Sequence, residues 1–276
     1  MSITRRALLV AGALFTCAAA ASANERHFTY TYETAVLQPG QVELEPWTTW
    51  RFKRQNYYSR FDQRLEFEAG VVEGLQTALY WNMSATTADT VVVDPNTGAS
   101  QTVRGSGFEF KSISNEWKLQ LADPVADPVG LGLYVEGALG PAEAELEGKV
   151  LVDKKLDSVV IAANVVGEYE VEFEDPDETE KEIVLELDVG AAYFVTDRFS
   201  VGVEVRNVNE FENAEELESS TLFAGPTLGF SQEGWWAAIS FLPQVVALKG
   251  ASEDSALDLE HQERYTTRLL LGLHLQ

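Results

Sequence analysis

The chain has 276 residues, 45% of them hydrophobic, with 44 Asp and Glu against 20 Lys and Arg for a net charge of −24. That apolar content excludes a disordered acidic tail, and the charge excludes a nucleic-acid partner, which needs clustered Lys and Arg. The length suits one large all-β domain or two small ones, and the acidity suits a soluble surface or a cavity that favours cations.

At the N-terminus, Arg5 and Arg6 precede an apolar stretch over residues 7–18 and the small-residue run Ala21-Ser22-Ala23. This is the layout of a cleaved export signal, 1–23, whose core is too short to cross a bilayer as a helix. Thr4-Arg5-Arg6 partly matches a twin-arginine signal, but adjacent arginines are common in ordinary leaders. Cys17 is the only cysteine, and Leu14-Phe15-Thr16 ahead of it does not fit a lipoprotein cleavage box. The mature chain is therefore expected to lack thiol and disulfide chemistry.

Residues 24–40 read as a periplasmic lead-in, with a partial plug as the variant. Beyond them, apolar and polar residues alternate in segments at 41–53, 57–71, 75–86, 108–121, 130–139, 143–153, 159–173, 181–193, 199–209, 219–230, 235–245 and 264–275. Alternation sends the two sets to opposite faces of a strand. In 159–173, Ala163, Val165, Tyr169 and Phe173 share one parity and Asn164, Glu168, Glu170 and Glu172 the other. The pattern slips once, near Lys111-Ser112, which predicts a β-bulge.

The connections differ in kind. Residues 71–74, 154–157, 195–198 and 231–234 are tight, and 122–128 is rich in Pro and Asp, whereas 87–107, 174–180, 210–218 and 246–263 are longer and polar; only 140–143 breaks the contrast. Short turns on one side and long loops on the other are the asymmetry of an outer-membrane barrel, and about twelve strands is an even number of the kind such barrels use. Aromatics of the apolar parity fall near strand ends. Tyr193, Phe199, Phe230 and Trp235 lie beside turns, and Phe52, Tyr57, Phe108, Phe173, Phe211 and Tyr265 beside loops, as two interfacial girdles require. The expected fold is all-β, a single transmembrane antiparallel up-and-down barrel over 41–276. The alternative is a soluble periplasmic β-sandwich or cup-shaped binding protein, with the apolar face turned inward.

The stretch RHFTYTYETAVLQPGQVELEPWTTWRF (26–52) resembles the start of many outer-membrane β-barrel proteins of Gram-negative bacteria. Thr34, Leu37, Pro39 and Gly40 supply the lead-in, and Val42, Glu43, Leu44 and Glu45 open the strand. Residues 71–81 and 195–205 look like periplasmic hairpins of the same barrels, which include transporter-like families without a demonstrated activity. The resemblance implies placement in the outer membrane after export, with membrane lipid, lipopolysaccharide and the barrel-insertion machinery as partners. The chain departs from the pattern at its end, where Leu275-Gln276 stands in place of a terminal aromatic.

On this reading the polar parity faces the lumen. The candidates are Glu66, Glu68, Glu168, Glu170, Glu172, Glu182, Glu186, Asp188 and Glu204, with Arg60, Arg64, Arg206 and Arg268 as the bases that could pair with them. Glu43, Glu45, Glu109, Glu136, Glu145 and Glu147 extend the set. Rings of carboxylates attract cations, so the first expectation is a narrow channel or transporter for small solutes with a cation-preferring lumen. The second is a structural barrel whose lumen is closed by Arg–Glu pairs. Catalysis is not expected. The three histidines His27, His261 and His274 are scattered, and no GxSxG or HExxH motif is present. No cofactor or metal site is expected either, since the acidic stretch around Asp175, Asp177 and Glu178 lacks the spacing and glycine of an EF-hand loop.

Overall fold

The computed structural model describes residues 25–94, 97–175, 178–213, 215–252 and 255–275. The leader and Gln276 lie outside the described residues, as do Asp177 and the side chains of Asp175 and Glu178.

Twelve antiparallel strands close into one barrel, each paired with its neighbours in sequence and β1 with β12. In order they are β1 (Val42–Phe52), β2 (Tyr58–Val72), β3 (Leu75–Val93), β4 (Ser100–Ala122), β5 (Gly130–Leu139), β6 (Glu143–Lys155), β7 (Val159–Asp175), β8 (Glu178–Thr196), β9 (Phe199–Glu212), β10 (Glu216–Gln232), β11 (Trp235–Lys249) and β12 (Tyr265–Leu275). Among the described residues no helix is long and apolar enough to cross a membrane.

The alternating pattern explains which face points where. On β7, Ile161, Val165 and Tyr169 are exposed while Ala162 and Asn164 are buried; on β8, Leu185, Leu187 and Val189 are exposed while Asp188 is buried. The apolar parity therefore faces out, which overturns the sandwich and cup alternative: in those the same side chains would meet each other inside. Closure leaves no unpaired edge, and a continuous apolar exterior is covered by lipid. The bulge falls at Lys111, where Ser112 pairs with Asn82 but Phe110 with Met83, and parity flips there.

Several stretches expected as loops are strand. Residues 87–93 and 100–107 pair in unbroken register from Ala88↔Gly105 to Val93↔Ser100 and carry the β3–β4 hairpin beyond the barrel. Their Thr and Val favour strand, but with water on both sides they need no alternation, so the pattern fades where the strand does not. Glu109, expected in the lumen, lies in this exposed part of β4. The long connection that remains, 250–264, folds back over the barrel mouth. Gln55 N donates to Leu259 O at 2.8 Å and Arg264 N to Lys53 O at 2.8 Å.

The girdles occupy opposite ends. Phe230 and Trp235 pack at 5.2 Å at the turn end. At the loop end, rings run from Phe61 to Trp50 at 5.5 Å, on to Phe52 at 4.1 Å, to Tyr265 at 5.2 Å and to Phe241 at 5.7 Å.

Candidate functional site: the barrel interior

Residues 25–37, ahead of β1, run inside the barrel, and the exposed 38–40 lead back to the strand. The segment enters at the turn end, where His27 sits near Phe194, Asp197 and Ser200. It turns over at Thr29–Thr31 and leaves past Gly70, whose Cα hydrogen points at the main chain of Leu37 and Gln38; a Cβ there would lie 2.1 Å from Gln38 O. His27 closes the base of this U. Its main-chain N–H donates to Glu33 Oε2 at 2.9 Å, and its Nδ1 lies 2.9 Å from Glu33 Oε1.

Side chains of the wall hold the U by its main chain. Glu204, on β9, receives four hydrogen bonds at its apex: from Thr29 N and Thr29 Oγ1 at 3.0 Å on one oxygen, and from Tyr30 N and Thr31 N at 2.9 Å on the other. Asn164 on β7 accepts from Tyr32 N at 2.6 Å and donates to Tyr32 O at 3.0 Å. Asp153 on β6 accepts from Thr34 N and Oγ1 at 3.1 and 2.7 Å, and Gln76 on β3 from Leu37 N at 3.0 Å. A segment without secondary structure has main-chain donors to satisfy, and buried wall residues satisfy them here.

The aromatic side chains of the U fill the space between. Phe28 packs with Val160, Ala162 and Ala192. Tyr30 packs with Val208, Phe223 and Leu242, and its ring lies between the guanidinium carbons of Arg206 and Arg268 at 3.7 and 3.6 Å. Tyr32 joins an interior cluster of Trp47, Tyr80, Tyr134, Leu151, Trp236 and Leu270. Gly190 makes room for Phe28, since a Cβ there would lie 2.6 Å from the ring. Full burial of a large apolar side chain stabilises by about 1.5–3 kcal/mol, so the three aromatics anchor the segment together with its hydrogen bonds.

The expected lumen residues divide into three groups. Glu204, Arg206, Arg268 and Asp188 surround the apex of the U. Arg206 donates to both oxygens of Glu186 at 2.7 Å and lies 3.5 Å from Asp188, whereas Arg268 donates to Thr49 Oγ1 at 2.8 Å and to Thr29 O at 3.3 Å. Arg268 thus serves the segment, rather than a carboxylate as expected. Arg64 pairs with Glu136, and Arg60 with Asp62 at 2.6 Å, with Arg51 on the same Asp62 at 3.0 Å.

A second group lies at the turn end of β1, β2 and β4. Glu43 faces Glu68 and Glu45 faces Glu66 across the β1–β2 register, and all four are buried, as is Glu116. Trp236 Nε1 donates to Glu43 at 2.8 Å, Trp47 Nε1 to Glu45 at 3.0 Å, and Gln76 Nε2 to Glu68 at 3.0 Å.

The third group forms the wall towards the loop end. The register stacks Glu145 against Glu170, Glu147 against Glu168, Glu143 against Glu172, and Glu170 against Glu182. These side chains are half-buried apart from the buried Glu143, and the bases among them are Lys111, 2.5 Å from Glu143, and Lys149, 2.9 Å from Glu147. Like-charged carboxylates stacked this way are sustained by water and counter-ions.

Each histidine sits beside a carboxylate. His274 Nε2 lies 2.7 Å from Glu43 Oε2, and His261 Nδ1 lies 2.9 Å from Asp258 Oδ2 with its Nε2 3.3 Å from Glu218. Asp258 also accepts from Ser219 Oγ at 2.8 Å, which ties the 250–264 loop to β10. Burial alone would lower the His261 pKa, but Asp258, Glu218 and Glu260 outweigh it and hold it above the ordinary value of 6.5.

Solved barrels share this architecture. An outer membrane channel from Pseudomonas putida F1 superposes over 88% of this chain and 98% of its own, with a TM-score of 0.58 at 7% identity. The NanC porin does so over 84% of this chain and 100% of its own, with a TM-score of 0.52 at 8% identity. At these identities the likeness is one of fold, that of the bacterial outer-membrane β-barrel. No curated protein matches the chain in sequence. Residues 20–275 match the Family of unknown function (DUF6662), and the chain belongs to that family.

Proposed function

We propose that the protein is an outer-membrane channel for small cations whose lumen is closed at rest by its own N-terminal segment. The tight turns face the periplasm, the long loops face the cell exterior, and export and insertion follow the route of other barrels. The single observation that carries the reading is the division of the interior. An acidic wall, built on Glu145, Glu168, Glu170 and Glu182, leads from the loop end to a segment held by side-chain hydrogen bonds and not by a strand ladder. Carboxylates in a wet vestibule raise the local cation concentration and exclude anions. A segment held in this way can leave without opening the barrel, because from Arg26 to Leu37 it is held to the wall through side chains, and main-chain bonding to the sheet begins only at Gly40, whose N–H donates to Gly70 O at 3.0 Å.

The second reading is a structural barrel without conduction. The pairs Arg64–Glu136 and Arg206–Glu186 favour it, since the first reaches through the interior from β2 to β5 and the second ties the neighbouring β9 and β8. Planar-bilayer recording of the refolded chain under a KCl gradient separates the two. The channel reading expects discrete steps with a cation-selective reversal potential once the segment is loosened by Glu204→Ala. Silence from that variant, while it still migrates as a heat-modifiable barrel, leaves the structural reading.

A further inference from the structure

The buried carboxylates of β1, β2 and β4 take no part in the acidic wall, and their surroundings point to a different role. Glu66 is 1% exposed, yet no nitrogen or hydroxyl donor is hydrogen-bonded to either of its side-chain oxygens, and the group it contacts is the carboxyl of Glu68. Glu45 Oε1, opposite it across the β1–β2 register, is likewise without such a donor. Their neighbours are acidic: Glu68 on the same strand, Glu43 on β1 and Glu116 on β4, all buried. The cations that face this group are Arg26 of the N-terminal segment, which interacts with Glu45 and Glu66, and Lys118, which interacts with Glu68 and Glu116. Five buried carboxylates outnumber those bases, and unbalanced negative charge in a dry interior is strongly unfavourable.

Geometry shows what would balance it. One oxygen each from Glu66, Glu68 and Glu116 lie within 4.8 Å of one another. Oxygens bound to one calcium ion at about 2.4 Å can be at most about 4.8 Å apart, so the three can share one such ion. The donors are hard anionic oxygens, the ligand type calcium takes. The neighbours orient them: Tyr80 Oη donates to Glu116, and Gln76 Nε2 donates to Glu68 at 3.0 Å while its own Oε1 holds Leu37 of the N-terminal segment. We infer that Glu66, Glu68 and Glu116 bind one divalent cation of the calcium class, taken up as the barrel folds. Through Gln76 the ion site is joined to the segment that fills the lumen. The inference stands whether or not the lumen conducts.

The test is metal content after refolding. The mature chain is unfolded in urea with EDTA, refolded into detergent with CaCl2, passed over a chelating resin and analysed for calcium. Folded wild-type protein is expected to retain about one calcium per barrel, Glu66→Gln to lose it, and Glu170→Gln, in the acidic wall, to keep it. If Glu66→Gln does not give the heat-modifiable band, Glu116→Gln takes its place. Calcium-free wild-type protein that carries the band would overturn the proposal and leave protons as the balancing charge. Equal retention by wild type and a folded Glu66→Gln would overturn it as well.

Discussion

The two halves of the interior solve the same problem in opposite ways. Both start from a polar face with more acids than bases. In the turn-end half the wall carries Trp47, Tyr80, Tyr134, Trp236 and Leu270 among its polar residues, and the N-terminal segment completes a packed core around them. There the carboxylates of Glu204 and Asp153 are satisfied by main-chain N–H groups of that segment. In the loop-end half, Glu145, Glu168, Glu170 and Glu182 have no aromatic packing of that kind and face one another across the strands. The comparison teaches that buried acid in a barrel is not one signal. Acid beside large inward aromatics holds protein here, and on the proposed reading the half-buried acid of the loop-end wall faces water and ions.

The sharpest way to break the contrast is to remove the pin of the packed half. Glu204→Ala leaves the N–H groups of Thr29, Tyr30 and Thr31 without their acceptor. At about 1–3 kcal/mol for each buried unsatisfied donor, the segment should leave the lumen while the barrel persists. Hydrogen exchange read by mass spectrometry should then show protection lost over residues 26–34 and kept in the strands. A smaller effect is expected from Gly190→Leu, which places a side chain where the Phe28 ring lies, at a cost of about 1–3 kcal/mol for overpacking. Gly167→Leu is the control. A Cβ at that position meets nothing nearer than Leu185 Cδ2 at 3.7 Å, so exchange over the segment should not change.

In the other half the expected effect is on selectivity and not on stability. Glu168→Gln with Glu170→Gln and Glu182→Gln should move the reversal potential of a Glu204→Ala background towards zero. The thermal shift of the heat-modifiable band should stay small, since half-buried like charges are removed.

The smallest effect belongs to the mouth loop. Because the folded pKa of His261 is raised by Asp258, Glu218 and Glu260, its ion pairs stabilise the loop fully below about pH 6.5 and the contribution is lost as pH rises through the folded value. The group is half-buried and partly screened by solvent, so about 0.5 kcal/mol is expected. Proteolysis of the 250–264 loop should therefore quicken modestly from pH 6 to 8 in wild type and show no such trend in His261→Ala.

Much of this was legible in the residues, for physical reasons. Period-two alternation is imposed wherever one face meets lipid and the other does not, so the strand count, the outward face and the bulge at Lys111 could all be read. Where β3 and β4 leave the membrane the constraint ends, and the pattern went silent while pairing continued to Val93↔Ser100. The inward course of residues 25–37 was hidden by a strand-like pattern, since Phe28, Tyr30 and Tyr32 alternate with Thr29, Thr31 and Glu33 although the segment is irregular and its main chain is satisfied by side chains. Two signals did mark it. Trp236 and Leu270 occupy the polar parity, where a wet lumen has no use for them, and Gly190 stands on that parity beside the turn end. Arg268 was read as a partner for acid because charge alone suggested it, whereas its place against Tyr30 depends on the segment.

The most direct test of the account exploits the absence of cysteine after Cys17. Thr29 Oγ1 and Ser240 Oγ lie 2.5 Å apart, one on the segment and one on β11, so Thr29→Cys with Ser240→Cys should form a disulfide that locks the segment to the wall. Placed in the Glu204→Ala background, this pair should give silence from the oxidised barrel and cation-selective openings after reduction in single-channel recording under a KCl gradient. Equal conductance in the two states would mean that the segment does not close the lumen, and would contradict the account.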